Sequence, residues 1–169
     1  MLGDDREKSD PPIAEAGIKM EGLGAWARQF NKTHKCKLRI QGEVIRLTIP
    51  DVMTVYMSFG VEEEGDVKVE TIRVFGPREG KGGAYGQSGH TVFQLVTQQL
   101  GKVLEEAVRL QDLIELVAGY DTLFISGCRV CGRVVSAEGH VPAVVRRREG
   151  GSEWIGEHVT CTPALGNYL

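Results

Sequence analysis

Three cysteines and one histidine in the C-terminal part of the chain stand at the spacing of metal ligands. Cys128 and Cys131 form a Cys-x-x-Cys pair, and 26 residues later His158 and Cys161 form a His-x-x-Cys pair. A gap of two residues lets both side chains of a pair turn toward one point. Two such pairs supply the shell of three thiolates and one imidazole that structural zinc prefers. Because a complete tetrahedral shell has no open position for water or substrate, the pattern predicts structural Zn²⁺ and favours a binding or assembly protein over an enzyme.

Three other interpretations of these residues compete with zinc binding. His140 is a rival nitrogen ligand, although it lies in a predicted turn and has no cysteine beside it in the sequence. A redox role for Cys128 and Cys131 would need a helix after the motif, since a helix N-terminus lowers the thiol pKa. Residues 132–135 instead favour a strand. A Cys161 nucleophile with His158 as its base is the third interpretation, but that pair lacks a third group to orient it.

Length and composition indicate a globular chain without a membrane span. The 169 residues are 41% hydrophobic and 25% charged, which fits one domain, or one domain with a small appendage. A net charge of −3 gives no global reason to expect binding to nucleic acid or to an anionic membrane. No apolar run approaches the ~20 residues of a bilayer crossing, and the N-terminus lacks a secretory pattern. The cysteines are therefore expected to be reduced, in cytosol or nucleus.

Apolar residues that alternate with polar ones predict four consecutive strands. Residues 36–40, 45–49 and 53–59 each place an apolar side chain at every second position. Residues 67–75 form the fourth strand, and a slip of parity between Val69 and Ile72 indicates a bulge. Short links between the strands predict an antiparallel meander with one face in solvent. Cys36, at the start of the first strand, is interpreted as a core residue.

Helical spacing predicts two further elements before the cysteine-rich lobe. A short helix is expected around Met20 to Phe30, after a disordered segment at residues 1–12. A single long helix of about 40 Å is expected from Ser88 or Thr91 to Gly119. Gly101 inside it should cost about 1 kcal/mol relative to alanine, which predicts a close backbone contact there. In the lobe, residues 132–137 and 141–148 predict a hairpin turned at 138–139, and Trp154 is expected to cover the metal lobe.

The predicted fold class is α+β. A four-stranded antiparallel sheet packs on one long helix, and a C-terminal β-hairpin lobe is held by zinc. We expect a disordered or weakly helical segment at 1–34, the sheet and long helix at 35–119, and the zinc-binding lobe at 120–169.

Five arginines make the predicted lobe locally basic: Arg129, Arg133, Arg146, Arg147 and Arg148. One interpretation is a zinc-ribbon-like module that contacts nucleic acid. The other is a solvated strand end or a contact with an acidic protein, which we favour because no aromatic residues for base stacking interleave with the arginines. Direct nucleic-acid contact is therefore not expected.

The C-terminal half resembles the conserved domain of Mediator complex subunit 27. Order and approximate spacing agree over residues 67–161. The matching stretches are Ile72-Arg73-Val74-Phe75-Gly76, Val92-Phe93-Gln94-Leu95-Val96-Thr97, residues 120–124, Cys128-Arg129-Val130-Cys131-Gly132 and His158-Val159-Thr160-Cys161. The combination of the Phe-Gln-x-Val-Thr helix start with the cysteine-histidine pattern is what makes the resemblance specific.

The resemblance implies a non-enzymatic, nuclear subunit of the coactivator that links activators to RNA polymerase II. It implies contacts with other Mediator subunits of the tail and head, such as subunits 28 and 29, only indirect contact with the polymerase, and no membrane. The four predicted ligands fall on cysteine and histidine positions of the family. The chain departs from the family in having only 35 residues before its first strand, too few for the usual helical bundle, and in a longer segment between the ligand pairs.

Overall fold

The computed structural model describes residues 16–80, 85–150 and 153–162. The disorder predicted for residues 1–12 lies outside these ranges. In chain order, the helices and strands of the described residues are α1 (Met20–Thr33), β1 (Lys37–Gln41), β2 (Val44–Ile49), β3 (Met53–Val61), β4 (Val67–Phe75), α2 (Thr91–Glu105), α3 (Leu110–Ala118), a 3-10 turn (Gly119–Thr122), β5 (Val145–Glu149) and β6 (Glu153–Glu157).

The four-stranded sheet has the predicted antiparallel order β1-β2-β3-β4. Its inward side chains are the alternating apolar residues of each strand, which are buried in one core together with residues of all three helices. The bulge predicted in β4 is present: Ser58 pairs with Thr71 and Phe59 pairs with Val69, so Glu70 is the extra residue. The period-two pattern therefore identified the strands, their buried face and the point where the pairing slips.

The predicted N-terminal helix is present as α1 and is part of the core. Leu23, Ala27 and Phe30 are buried on one of its faces, at the spacing of successive helical turns. The Asn31 side chain fixes α1 to β1, because its amide group donates to the Leu38 carbonyl at 2.8 Å and its oxygen accepts the Leu38 N–H at 2.6 Å.

The single long helix predicted between Thr91 and Gly119 is wrong. The chain forms α2 and α3 instead, with a break at 106–109 where Ala107 has a φ of 54°. One helix of this length would span about 40 Å, whereas the nine residues of β3 span about 30 Å. After the break, the apolar side chains of α3 are buried in the core.

The close backbone contact predicted at Gly101 is also wrong. A Cβ built at this position meets no atom within 4 Å, so the glycine lies beside open space on α2. Other contacts fix the position of α2 on the sheet. For example, the Thr97 hydroxyl accepts a hydrogen bond from the Val74 N–H of the edge strand β4 at 3.0 Å.

The C-terminal hairpin is shifted along the chain from the one predicted: of the two expected strands, only residues 145–148 belong to a paired strand. The turn near Gly139 exists, but the strands expected on either side of it make only a single bridge, Val135 with Pro142. The paired strands are β5 and β6. The physical reason lies in the ligand turns: the Arg133 carbonyl accepts the Cys128 N–H at 2.8 Å, and the Val134 carbonyl contacts the His158 ring at 3.2 Å. These backbone acceptors are therefore not available for a ladder.

Contacts between the helices and the lobe join the two parts of the molecule. The buried Tyr120 hydroxyl donates to the Val144 carbonyl at 2.7 Å. Trp154, which was expected to cover the metal lobe, lies against Gly119 at the end of α3, so close that a Cβ on this glycine would be 2.9 Å from the indole. Within the described residues, no helix combines the length and apolar character that a bilayer crossing requires.

Candidate metal centre

The four predicted ligands meet in space. One donor atom each from Cys128, Cys131, His158 and Cys161 lies within 4.8 Å of every other. The His158 Nδ1 atom is 3.3 Å from the Cys131 sulfur and 3.8 Å from the Cys161 sulfur. Ligands of tetrahedral zinc, with Zn–S near 2.3 Å and Zn–N near 2.1 Å, are separated by about 3.6 Å. The donor atoms therefore have a spacing that a single ion could bridge.

A tight turn positions the first ligand pair. The Gly132 N–H donates to the Cys128 carbonyl at 2.8 Å, and Gly132 has a φ of 74°, a conformation that favours glycine. Gly127 precedes the pair where the backbone approaches itself closely, since a Cβ there would be 2.6 Å from the Gly132 carbonyl oxygen. Both small residues are needed for the turn that directs the two sulfur atoms to one side.

The second pair follows directly from β6. The N–H groups of Cys161 and Thr162 both donate to the His158 carbonyl at 3.0 Å, which closes a turn after the strand. His158 is buried, and its Nε2 atom lies 3.2 Å from the Val134 carbonyl. Because a carbonyl only accepts, Nε2 carries the proton and Nδ1 presents a lone pair toward the three sulfurs. This is the tautomer that a metal ligand requires.

The protein environment already stabilises one thiolate. Burial raises the pKa of Cys128, but backbone N–H groups of Cys131, His158 and Val130 donate to its sulfur and together lower the pKa to about 7. The His158 and Val130 N–H groups each lie 3.4 Å from that sulfur. Cys128 is therefore prepared to act as an anionic ligand near neutral pH.

The pKa of Cys161 is shifted in the opposite direction. Burial and the neighbouring sulfur atoms of Cys131 and Cys128 raise its pKa to about 11. Thiolates this close repel one another unless a cation lies between them, and a bound metal reverses the shift by favouring deprotonated sulfur. Three thiols and one correctly oriented imidazole fit a metal ion that prefers sulfur and nitrogen.

His140 and Cys36 lie outside the group of four converging donors. His140 is exposed, has a φ of 51° and does not belong to the group of converging donors. Cys36 is buried at the start of the sheet, as interpreted from the sequence, and burial raises its pKa. All four cysteines are free thiols.

Most of the arginines of the C-terminal lobe are engaged within the fold. Arg129 forms a bidentate ion pair with Glu149, with one Nη2–Oε1 distance of 2.9 Å. Arg147 lies 3.2 Å from the Glu157 carboxylate. Two others stack on aromatic rings: the Arg146 guanidinium is 4.8 Å from the Tyr120 ring centroid, and that of Arg148 is 5.3 Å from the Trp154 ring centroid.

Sequence reasoning missed two features of the site. The Val134 carbonyl fixes the ring of His158, but a backbone acceptor leaves no signal in the residue type. The middle residues of the two ligand pairs include Val130 and Val159, which are 60% and 45% exposed. Their apolar character was visible in the sequence, but only the fold shows that they face outward.

Comparison with known proteins supports the resemblance. No curated protein matches the chain significantly. Residues 83–162 match the family model of Mediator complex subunit 27. The matched segment contains α2, α3, both strands of the small sheet and all four converging donors, whereas the four-stranded sheet lies before it. The matched family is that of a Mediator subunit with a role in transcription, and residues 83–162 of this chain are similar to its domain.

Proposed function

We propose that this chain is a nuclear, non-enzymatic scaffold subunit of Mediator and that one structural Zn²⁺ holds its C-terminal lobe. Cys128, Cys131, His158 and Cys161 would bind the ion. The observation that carries the proposal is the convergence of these four donors inside the segment that matches the family. Four protein ligands fill a tetrahedral shell, so the ion would hold two turns together and would offer no position to a substrate.

The contacts around the donors explain what the ion would hold. The first ligand turn is already attached to β6 because the Arg129 N–H donates to the Gly156 carbonyl at 2.9 Å. The small sheet is attached to the helices through Tyr120 and Trp154. Metal binding would thus couple the order of the ligand turns to the position of the small sheet on the helices.

Exposed apolar side chains near the donors support a role in subunit contact. Val130 and Val159 project from the two ligand turns, and Phe124 and Ile125 are exposed just before the first turn. We call these four residues the lobe patch. Exposed large apolar side chains favour contact with another protein when they adjoin one another on the surface, and we assume this for the lobe patch. We propose that the lobe patch contacts other Mediator subunits, with subunits 28 and 29 as candidates.

A thiol enzyme fits these contacts less well. The pKa of Cys161 is raised to about 11, whereas a nucleophilic cysteine needs a lowered pKa. Cys128 has a lowered pKa but is buried. The His158 Nε2 atom contacts a backbone carbonyl, and no carboxylate among the described residues orients the ring as a catalytic base would require.

Nucleic-acid binding through the lobe is the second candidate function, and the arginine contacts argue against it. Arg129 and Arg147 pair with carboxylates, and Arg146 and Arg148 lie over aromatic rings. Of the five arginines that suggested this function, four are therefore engaged in the fold. Duplex DNA should not bind with the steep salt dependence that several phosphate contacts produce.

Metal analysis of the purified protein tests the proposed centre. We expect about one equivalent of zinc per chain, with little iron, which can use similar ligands. Cys161→Ser should lower the zinc content, whereas Cys36→Ala, which removes a buried thiol outside the donor set, should retain it. A metal-free protein whose lobe remains folded would contradict the proposal.

Recovery of the tagged chain from nuclear extract tests the scaffold role. Mass spectrometry should identify Mediator subunits among the recovered proteins. Val130→Glu with Val159→Glu should reduce their recovery, whereas Val61→Glu, which changes a similarly exposed valine at the end of β3, should not. Recovery without Mediator subunits, or equal losses in both variants, would argue against the lobe patch as the contact.

A further inference from the structure

The solvent face of the four-stranded sheet carries a row of cationic side chains. Arg39 pairs with Arg46 across β1 and β2, Arg46 pairs with Tyr56 across β2 and β3, and Tyr56 pairs with Arg73 across β3 and β4. Residues opposite each other in a sheet point to the same face, so these four side chains form one line across all four strands. With ~4.8 Å between neighbouring strands, the row is about 14 Å long. We call it the arginine row.

Positive charge in this row is not balanced by acidic neighbours. Arg39 and Arg46 are directly opposite each other, an arrangement that destabilises a sheet when both side chains have the same charge. Glu70, at the bulge, is the single carboxylate in the four strands. Among the described residues, none of the three arginines has an ion pair with a carboxylate.

Local contacts place the guanidinium groups without neutralising them. The Arg46 guanidinium lies 5.7 Å from the Tyr56 ring centroid, and its buried Nε atom has no hydrogen-bond partner in the part of the chain that the structure describes. Arg73 donates to the carbonyl of its own neighbour Ile72 at 2.9 Å. Neither contact supplies a negative charge, so the row presents three cations at spacings fixed by the sheet.

We infer that the arginine row binds an acidic, extended segment of a partner protein. Carboxylates would neutralise the opposed arginines and could accept their forked N–H groups in pairs. The surroundings of Tyr56 favour a peptide over a nucleic acid: Arg46 lies over the ring and Phe75 contacts it edge to face with centroids 5.8 Å apart. Base stacking would need a free aromatic face. This surface lies outside the segment that matches the Mediator family and is independent of the metal centre.

Fluorescence anisotropy with a labelled peptide tests the inference on the full chain. The probe alternates Glu with Ser over about eight residues, which at ~3.4 Å per residue is long enough to cover the row and places every carboxylate on one side. A peptide with Gln in place of Glu is the ligand control. We expect the acidic peptide to bind and the neutral peptide not to bind.

Variants of the protein locate the binding site. Arg46→Gln and Arg73→Gln should each weaken binding about threefold to fivefold, and together on the order of tenfold. The control Arg28→Gln with Arg78→Gln removes two exposed arginines outside the row and should leave the affinity unchanged. Failure of the acidic peptide to bind would overturn the inference, as would equal losses in both double variants. Tighter binding of short duplex DNA through the same two arginines would also overturn it.

Discussion

Replacement of Tyr120 by phenylalanine tests how the lobe is attached to the helices. The hydroxyl of this buried side chain donates to the Val144 carbonyl at 2.7 Å, across 24 positions of sequence. Tyr120→Phe keeps the ring, its apolar contacts and its stacking on Arg146, but leaves a buried carbonyl without its donor. Loss of one partner in a buried hydrogen bond costs about 1–3 kcal/mol. For a chain of this size, about 2 kcal/mol lowers the melting temperature by roughly 4–8 °C.

Thermal unfolding followed by circular dichroism, with zinc present, measures this effect. Tyr56→Phe is the matched control, because Tyr56 is half-buried on the solvent face of the sheet and its hydroxyl has no hydrogen bond among the described residues. The control should change stability by no more than about 0.5 kcal/mol. The zinc content of both variants should equal that of the wild type. Equal melting temperatures for Tyr120→Phe and the control would refute the proposed attachment.

Alkaline pH provides a second measurement of the same contact. Burial raises the pKa of Tyr120 above the ordinary value near 10, so the folded state holds the neutral phenol. A raised pKa contributes stability that is complete below about pH 10 and is lost as the pH rises further. Phenylalanine cannot ionise, so the difference in stability between wild type and Tyr120→Phe should shrink above that pH. A difference that stays constant would show that the phenol is not buried as described.

Three further predictions concern glycines and protons. Gly127→Ala should destabilise the first ligand turn, because the added Cβ would lie 2.6 Å from the Gly132 carbonyl oxygen. We expect zinc affinity to fall at least tenfold in a chelator competition. Unchanged affinity would show that this close approach of the backbone is not needed. Gly101→Ala should instead raise the unfolding free energy by about 0.5–1 kcal/mol in urea denaturation, since alanine favours the helix and its methyl group meets no atom within 4 Å. A loss of stability would support the close backbone contact that was expected from the sequence. Zinc binding near pH 8 should release at least one proton, as measured by calorimetry in buffers of different ionisation enthalpy, because the raised pKa of Cys161 keeps this thiol protonated before binding. Cys128, with its pKa of about 7, should contribute little. Binding without proton release would contradict the assigned thiol states.

The sequence alone determined the features that depend on local period and residue chemistry. Alternation of apolar residues identified the four strands and their buried face, because side chains in a strand point to opposite faces at every step. The slip between Val69 and Ile72 predicted the bulge for the same reason. The spacing of Cys128, Cys131, His158 and Cys161 selected the four residues whose donors converge, since two residues with two others between them in a tight turn can reach one point.

Tertiary structure decided the features that depend on which distant groups meet. Helical periodicity continues through residues 106–109, but the length of the sheet makes a break more favourable than an overhanging helix. Strand-like residues after Cys131 make only one bridge because the ligand turns occupy their backbone acceptors. The five arginines of the lobe looked free in the sequence, but four of them are held by carboxylates or aromatic rings. A pattern within the chain records the preference of each segment, whereas competition for partners between segments is settled only when the chain is folded.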